Sequence, residues 1–412
     1  ELCAVSFKMK KIFFLTLLSF LFAKNIEDKP YVLMISFDGF RADYIDWYNT
    51  PNFDRLAKQG VKADGMKPVF VSKTFPNHYS LATGMYIENH GLVGNYFYDK
   101  KLDATYTLSD RSKVEDGRFY GGEPLWATAE KQGMKTASYF WVGTEASIAG
   151  VRPSIWKKYD HNFSFTARID SVEKWFNLPV EIRPQLVMLY FHEPDDAGHR
   201  FGPKSAETEA MIDSMDSIMG HILDSMEKLD IYPNLNIIAV ADHGMTAISP
   251  KRTINLEKYA NMDGMIQEGS GPFSLLYGKR SFASWRLVKK LNKIPHLSAY
   301  LKKDIPERYH FKNHYRIKDI LLVSDEGWSI LGLTGRSANP EYHSGGTHGY
   351  DNELRSMHAL FIADGPAFKD GFLSPRFENI HVYPLVVKIL GLKPNPEIDG
   401  SLNSVKFLLR EH

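Results

Sequence analysis

Six residues of metal-binding type follow short apolar runs or sit in glycine-rich turns. They are Asp38 in SFDGF, Asp195 and His199 in EPDDAGH, Asp242 and His243 in ADHGM, and His348 in SGGTHGYD. Three carboxylates and three imidazoles without a thiolate make a hard-to-borderline donor set. That set suits zinc or manganese, whereas calcium takes all-oxygen cages. Each piece alone reads as an ordinary turn or a solvated pair; together they point to a metal site. The hydroxyl best placed to use such a site is Thr74, in VSKTFPNHYS. Pro76 and the HYSLAT run predict a helix starting there, so Thr74 falls at or just before its N-terminus. Free N–H groups and the positive dipole end favour a phosphate or oxyanion at that point. Threonine is a poor nucleophile unless its pKa is lowered, and a zinc ion on its oxygen would do that without a His or Lys base. Taken alone, Thr74 also reads as a helix N-cap.

The elements that must position these residues are legible as runs. Tyr31–Phe37, Leu186–Phe191, Ile237–Ala241 and Ala359–Ala363 are short, continuously apolar, and end in polar turn residues. Continuous apolarity suits strands buried on both faces of a parallel sheet. Between them lie helical patterns. From about Ser205 to Leu229, Met211, Met215, Ile218, Ile222, Met226 and Leu229 recur every three or four residues, a sheet-facing stripe. A second helix is predicted over about Asn52 to Gln59, with Pro51 at its start and Gly60 at its end. The alternation predicts an α/β fold with a mostly parallel central sheet flanked by helices. Ligands in such sheets bind beyond the carboxyl ends of strands, where Asp38, Asp195 and Asp242 fall. The polar stretch of about 250–336 is expected to be an irregular small subdomain or cap inserted in one domain spanning 24–412.

Composition narrows the function classes. Lys+Arg 50 against Asp+Glu 49 gives a net charge of +1, so no basic groove for nucleic acid is expected. The single Cys, at position 3, excludes a disulfide framework and thiolate metal sites. From Met9, Lys10 and Lys11 precede an apolar run from Ile12 to Ala23, too short at about 1.5 Å per residue to cross a core of roughly 30 Å. Residues 1–23 therefore read as an upstream remnant plus a secretory signal peptide. Its removal would leave no cysteine, which fits a bacterial periplasm better than a eukaryotic secretory route. No later run is long enough to span a membrane, and nothing in the pattern specifies an oligomer.

DGFRADY, KTFPNHYSLATG, HGLVGNYFYD, EPDDAGHRFGP, ADHGM and GGTHGYDN resemble, in order, the nucleotide pyrophosphatase/phosphodiesterase family of the alkaline phosphatase superfamily. The resemblance runs from Tyr31 to about Leu392. It implies an alkaline-phosphatase-like fold and a hydrolase that cleaves nucleotide phosphodiester or pyrophosphate bonds through a threonyl-phosphate intermediate. Two zinc ions are implied, one held by Asp38, Thr74, Asp242 and His243, the other by Asp195, His199 and His348. Asn95 would donate to a non-bridging phosphoryl oxygen alongside the Thr74 N–H. The segment Phe140 to Tyr159 resembles an insertion lining the nucleotide site, which makes Phe75 and Tyr159 candidates for stacking on a base. A sulfatase is excluded because His78 stands where its motif needs Arg. A choline- or lipid-type phosphodiesterase is the second reading, ahead of a phosphomonoesterase. Of the other histidines, His78 could support a ligand, His192 reads as packing, and His161 as a surface or core residue.

Overall fold

The computed structural model describes residues 29–278 and 284–411, so the expected leader and Cys3 lie outside the described residues. In chain order the main elements are β1 (Tyr31–Phe37), α1 (Pro51–Gln59), β2 (Val61–Ala63), α2 (Thr74–Thr83), β3 (Thr136–Tyr139), β4 (Ile155–Lys157), β5 (Leu186–Phe191), α3 (Asp195–Phe201), α4 (Ala206–Met226), β6 (Leu235–Val240), β7 (Phe361–Asp364) and β8 (Phe372–Ser374). The strands form one eight-stranded sheet in the order β8-β2-β7-β6-β1-β5-β3-β4. Every residue of β1, β5 and β6 is buried, as continuous apolar runs require in a sheet covered on both faces. β1 pairs parallel to both β5 and β6, with Phe37 opposite Phe191 and Ser36 opposite Val240. Three adjacent strands thus end at one level, and the residues just past them must share one space.

The α/β reading holds, with one difference. β7 runs antiparallel to both β6 and β2, so Asp364 and Gly365 leave the sheet at the end away from the site. Its apolar run looks like its parallel neighbours because burial on two faces is all the composition reports. α4 buries Ile212, Met215, Ile218, Met219, Ile222, Leu223 and Met226, and Ser205 caps it by accepting from Thr208 N at 3.1 Å. The cap of α1 comes from another helix: Asp216 Oδ1 accepts from Asn52 N at 2.9 Å and Phe53 N at 3.0 Å.

The stretch read as irregular is more ordered than its polarity suggests. Met265–Glu268, Phe273–Gly278, Leu297–Leu301 and Ile320–Ser324 form a four-stranded antiparallel sheet, with Ser284–Leu291 helical beside it. A separate cluster including Leu276, Leu291, Ile320 and Leu322 is buried there. The sheet's inner strands are buried on both faces, Leu276, Ile320 and Leu322 against that cluster and Leu275, Leu321 and Val323 against the main core. They are short and set among polar turns, which hides them in a composition reading.

Arg316 fastens this region to the site-bearing loops. Its guanidinium donates to Asp99 Oδ2, Gly91 O and Phe119 O, each at 2.6 Å, and both Arg316 and Asp99 are buried. Burial opposes charge on Asp99, but hydrogen bonds from Tyr315, Leu102 and Arg316 hold its pKa down at about 2. The stabilisation from that charge is complete above the ordinary carboxylate pKa and lost as pH falls through about 2. Arg316→Met should cost roughly 3–5 kcal/mol, because it strands a buried carboxylate and two carbonyls. Urea unfolding near neutral pH checks this; a cost below about 1 kcal/mol would show the clamp to be dispensable.

Candidate active site

β1 delivers Asp38, β6 delivers Asp242 and His243, and β5 leads through His192, Glu193 and Pro194 to Asp195 at the start of α3. His199 is one helical turn further on. His348 arrives by a separate route: Gly345–Thr347 pairs antiparallel with Thr246–Ile248, the strand just after His243. Gly346 permits the close approach, since a Cβ there would lie 2.4 Å from Gly198 O. Gly39 has φ +68° and a backbone N–H that donates to Asp242 Oδ1 at 3.2 Å, which turns the chain sharply behind Asp38.

The three imidazoles share one arrangement. Nδ1 of His243 donates to Gly244 O at 2.9 Å, Nδ1 of His199 to Gly346 O at 2.9 Å, and Nδ1 of His348 to Ser72 O at 2.8 Å. A carbonyl only accepts, so each Nδ1 carries a proton, which turns Nε2 toward the site as the nitrogen that a metal would take. Those nitrogens converge. His199 Nε2 and His348 Nε2 are 3.1 Å apart, with Asp195 Oδ2 3.4 Å from the first and Asp195 Oδ1 3.7 Å from the second. His243 Nε2 lies 2.8 Å from Asp242 Oδ2, 3.5 Å from Asp38 Oδ1 and 3.3 Å from Thr74 Oγ1. Ligands about 2.0–2.1 Å from a tetrahedral zinc stand roughly 3.4 Å apart, so these separations fit.

Charge and hydrogen bonding agree with a cation. Asp38 Oδ1, Asp195 Oδ1 and Asp242 Oδ2 are buried oxygens that accept no hydrogen bond. Facing lone pairs repel unless a proton or a metal ion lies between them. Burial, together with the charges of Asp242 and Asp195, pushes the Asp38 carboxyl well above its usual range. Burial also drives the His348 pKa well below its usual value, with His243 and Lys73 adding to the effect, so the ring is neutral and able to ligate. Asp195, His199 and His348 offer ligand atoms within 4.8 Å of one another, as do Asp38 with His78 and Asp242 and Asp38 with Asp195 and His243. Asp242 and Thr74 stand against His243, so neighbouring donor groups here fit divalent ions of the zinc type.

Thr74 is the first residue of α2, one residue later than an N-cap, and Lys73 holds the cap position. Within the first turn, Pro76 has no N–H and Phe75 N donates to Asn95 Oδ1 at 3.0 Å. That leaves the Thr74 N–H as the first-turn donor without an intrahelical acceptor. The same bond fixes the Asn95 amide, with Nδ2 as its remaining donor. Asn77 holds the approach to Thr74, accepting from Val69 N at 2.8 Å and donating to Val71 O at 2.9 Å.

Asp38, Thr74, Asn95, Asp195, His199 and His348 line one cavity of about 400 Å³ that also takes in Phe75, Tyr159 and Leu108, while Asp242 and His243 are fully buried beside Asp38 and Thr74. The resemblance had singled out Phe75 and Tyr159, and both line it. Three further residues matter that the sequence reading did not place there. Tyr190 donates to Asp38 Oδ2 at 2.7 Å, and its phenol inside an apolar strand gave no signal. Lys73 lines the cavity beside Thr74, its pKa lowered to about 8 by burial despite the nearby Asp195 charge. Arg111 reaches into the wall and pairs with Glu145, whose other oxygen accepts from Tyr159 N at 3.2 Å. His78 lies beside a candidate ligand: its Nδ1 donates to Thr74 O at 2.9 Å and is 3.4 Å from Asp242 Oδ2. His192 lines the cavity as well as packing, and so does His161.

Comparison with known proteins is consistent with this geometry. Residues 32–351 match the family described as type I phosphodiesterase / nucleotide pyrophosphatase. A venom phosphodiesterase of Naja atra is 40% identical over 395 residues, which is 93% of this chain and 47% of that protein. The bis(5'-adenosyl)-triphosphatase enpp4 of Xenopus laevis is 35% identical over 383 residues, covering 92% of this chain and 82% of that one. The chain thus spans about half the length of the venom relative and most of the frog one. Among solved structures, an inactive Thr→Ala variant of murine ectonucleotide pyrophosphatase / phosphodiesterase 5 in complex with AMP superposes with a TM-score of 0.87 at 33% identity, covering 93% of this chain and 100% of that one. The strand-end acids, the imidazoles and the threonine thus stand in a fold already solved for a relative, and the chain belongs to the type I phosphodiesterase / nucleotide pyrophosphatase family.

Proposed function

We propose that the protein is a zinc-dependent hydrolase that cleaves phosphodiester or pyrophosphate bonds of nucleotides, with Thr74 as nucleophile. The observation that carries this reading is the set of facing ligand atoms: His199 and His348 at 3.1 Å, and His243 with Asp242 at 2.8 Å, beside a hydroxyl at a helix N-terminus. One zinc ion would be held by Asp38, Thr74, Asp242 and His243 and the other by Asp195, His199 and His348; bound there, they would supply Lewis acidity at the attacking and departing oxygens. Thr74 Oγ1 forms a bond to phosphorus as the bond to the leaving oxygen breaks, giving a threonyl-phosphate. Water then displaces the Thr74 oxygen and restores the hydroxyl. The Thr74 N–H and Asn95 Nδ2 donate to the equatorial oxygens, where charge gathers in each step. Tyr190 holds Asp38 in one rotamer throughout.

Nucleotide choice is supported by the aromatic wall of Phe75 and Tyr159 and by the AMP bound to the murine relative. Export, with the periplasm as destination, is supported by the leader-like run at 9–23 and by the absence of later cysteines. No described helix is long and apolar enough to cross a membrane.

The test compares kcat/KM for a nucleotide p-nitrophenyl diester, choline p-nitrophenyl phosphate and p-nitrophenyl phosphate. Stacking worth about 1–3 kcal/mol per base favours the nucleotide over choline by roughly 5- to 150-fold. The monoester is expected to be slowest, because Asn95 offers no full positive charge for its extra negative one. A monoester rate equal to the diester rate would contradict the reading, and choline preference would remove its nucleotide part.

A further inference from the structure

A second group of donors stands at the mouth of the cavity, apart from the seven residues assigned above. His161, His192 and Asp196 each offer a ligand atom, all within 4.8 Å of one another, and all three line the cavity. His161 Nε2 lies 3.3 Å from Asp196 Oδ2, close to the roughly 3.4 Å edge of a tetrahedral zinc site. Tyr159 OH sits 3.1 Å from His161 Nδ1, on the far side of the ring, where a metal-binding histidine ordinarily has its orienting partner. The His161 and His192 rings stack at 4.0 Å, which holds the two imidazoles together.

A simple ion pair would account for His161 and Asp196. It would leave His192 Nδ1, a buried nitrogen without a hydrogen-bond partner, unexplained. Three protein donors with no fourth is the arrangement of an open transition-metal site, whose remaining position takes water or a substrate oxygen. We propose that His161, His192 and Asp196 bind an additional zinc-type divalent ion at the entrance of the active-site cavity, with an open coordination position toward the cavity. Such an ion would meet a phosphate or hydroxyl oxygen of the substrate outside the scissile group.

The test is equilibrium dialysis of the full chain against micromolar free zinc, with zinc counted per chain. Wild type is expected to bind one ion more than His161→Ala and one more than Asp196→Ala, two substitutions at half-exposed side chains. Melting curves check that both variants fold; should one fail, the other carries the comparison. Equal zinc counts in wild type and variants would overturn the inference and leave the two-zinc reading standing. A variant count below two would contradict the two-zinc reading separately, since neither residue belongs to its donor sets.

Discussion

Replacing Thr74 by alanine is expected to reduce kcat for a nucleotide diester by roughly a thousandfold or more, about 4 kcal/mol of barrier. On the mechanism proposed, the substitution removes Thr74 Oγ1, the one atom that both attacks phosphorus and binds a metal ion. It leaves the helix start intact, since Lys73 occupies the cap position and Asn77 pins the loop before it. Substrate binding should therefore change less than turnover. Thr74→Ser keeps the oxygen and loses one methyl, at a cost of about 1 kcal/mol, so it should retain part of the rate, roughly a fifth. Steady-state kinetics on the pair checks both expectations. Near-normal turnover in the alanine variant would mean that water attacks phosphorus directly.

The second large effect is loss of metal. Chelation is expected to abolish activity, with recovery on adding zinc, and to lower the melting temperature. Ions that bind only the folded chain stabilise it by mass action, about 4 kcal/mol per site at a thousandfold excess over Kd. Their removal returns three buried carboxylates and facing imidazole nitrogens to mutual repulsion. His348→Ala should empty mainly the site shared with Asp195 and His199, because its ring supplies one of three donors there. Elemental analysis and differential scanning calorimetry read the two consequences. Full activity in metal-free protein would contradict the account.

Much of this is legible in the sequence alone. β1 ends at Phe37 and Asp38 follows, as continuous apolarity and an abrupt Asp-Gly require. Asp242, His243 and Asp195 follow from the same logic on the two strands beside it. His348 does not: it reaches the site through the pairing of Thr246 with Thr347, which no periodicity foretells, and only its GGTHG surroundings marked it. The reversed direction of β7 was hidden for a related reason. Burial on two faces fixes composition, while direction depends on the chain's route. Tyr190 escaped notice because a phenol inside LVMLYF reads as core, although its hydroxyl holds a metal-type carboxylate. His161 and His192 carry no joint signal in the sequence because 31 positions separate them, and only the fold brings their rings together.

The claim on which the rest depends is that Thr74 carries the phosphoryl group between two displacements. The stereochemistry at phosphorus tests it most directly, with a nucleotide phosphorothioate diester of known configuration hydrolysed in labelled water and the product configuration assigned by phosphorus NMR. Two successive in-line displacements, one by Thr74 and one by water, give retention, which is the result expected. Inversion would show a single direct attack by water and contradict the account.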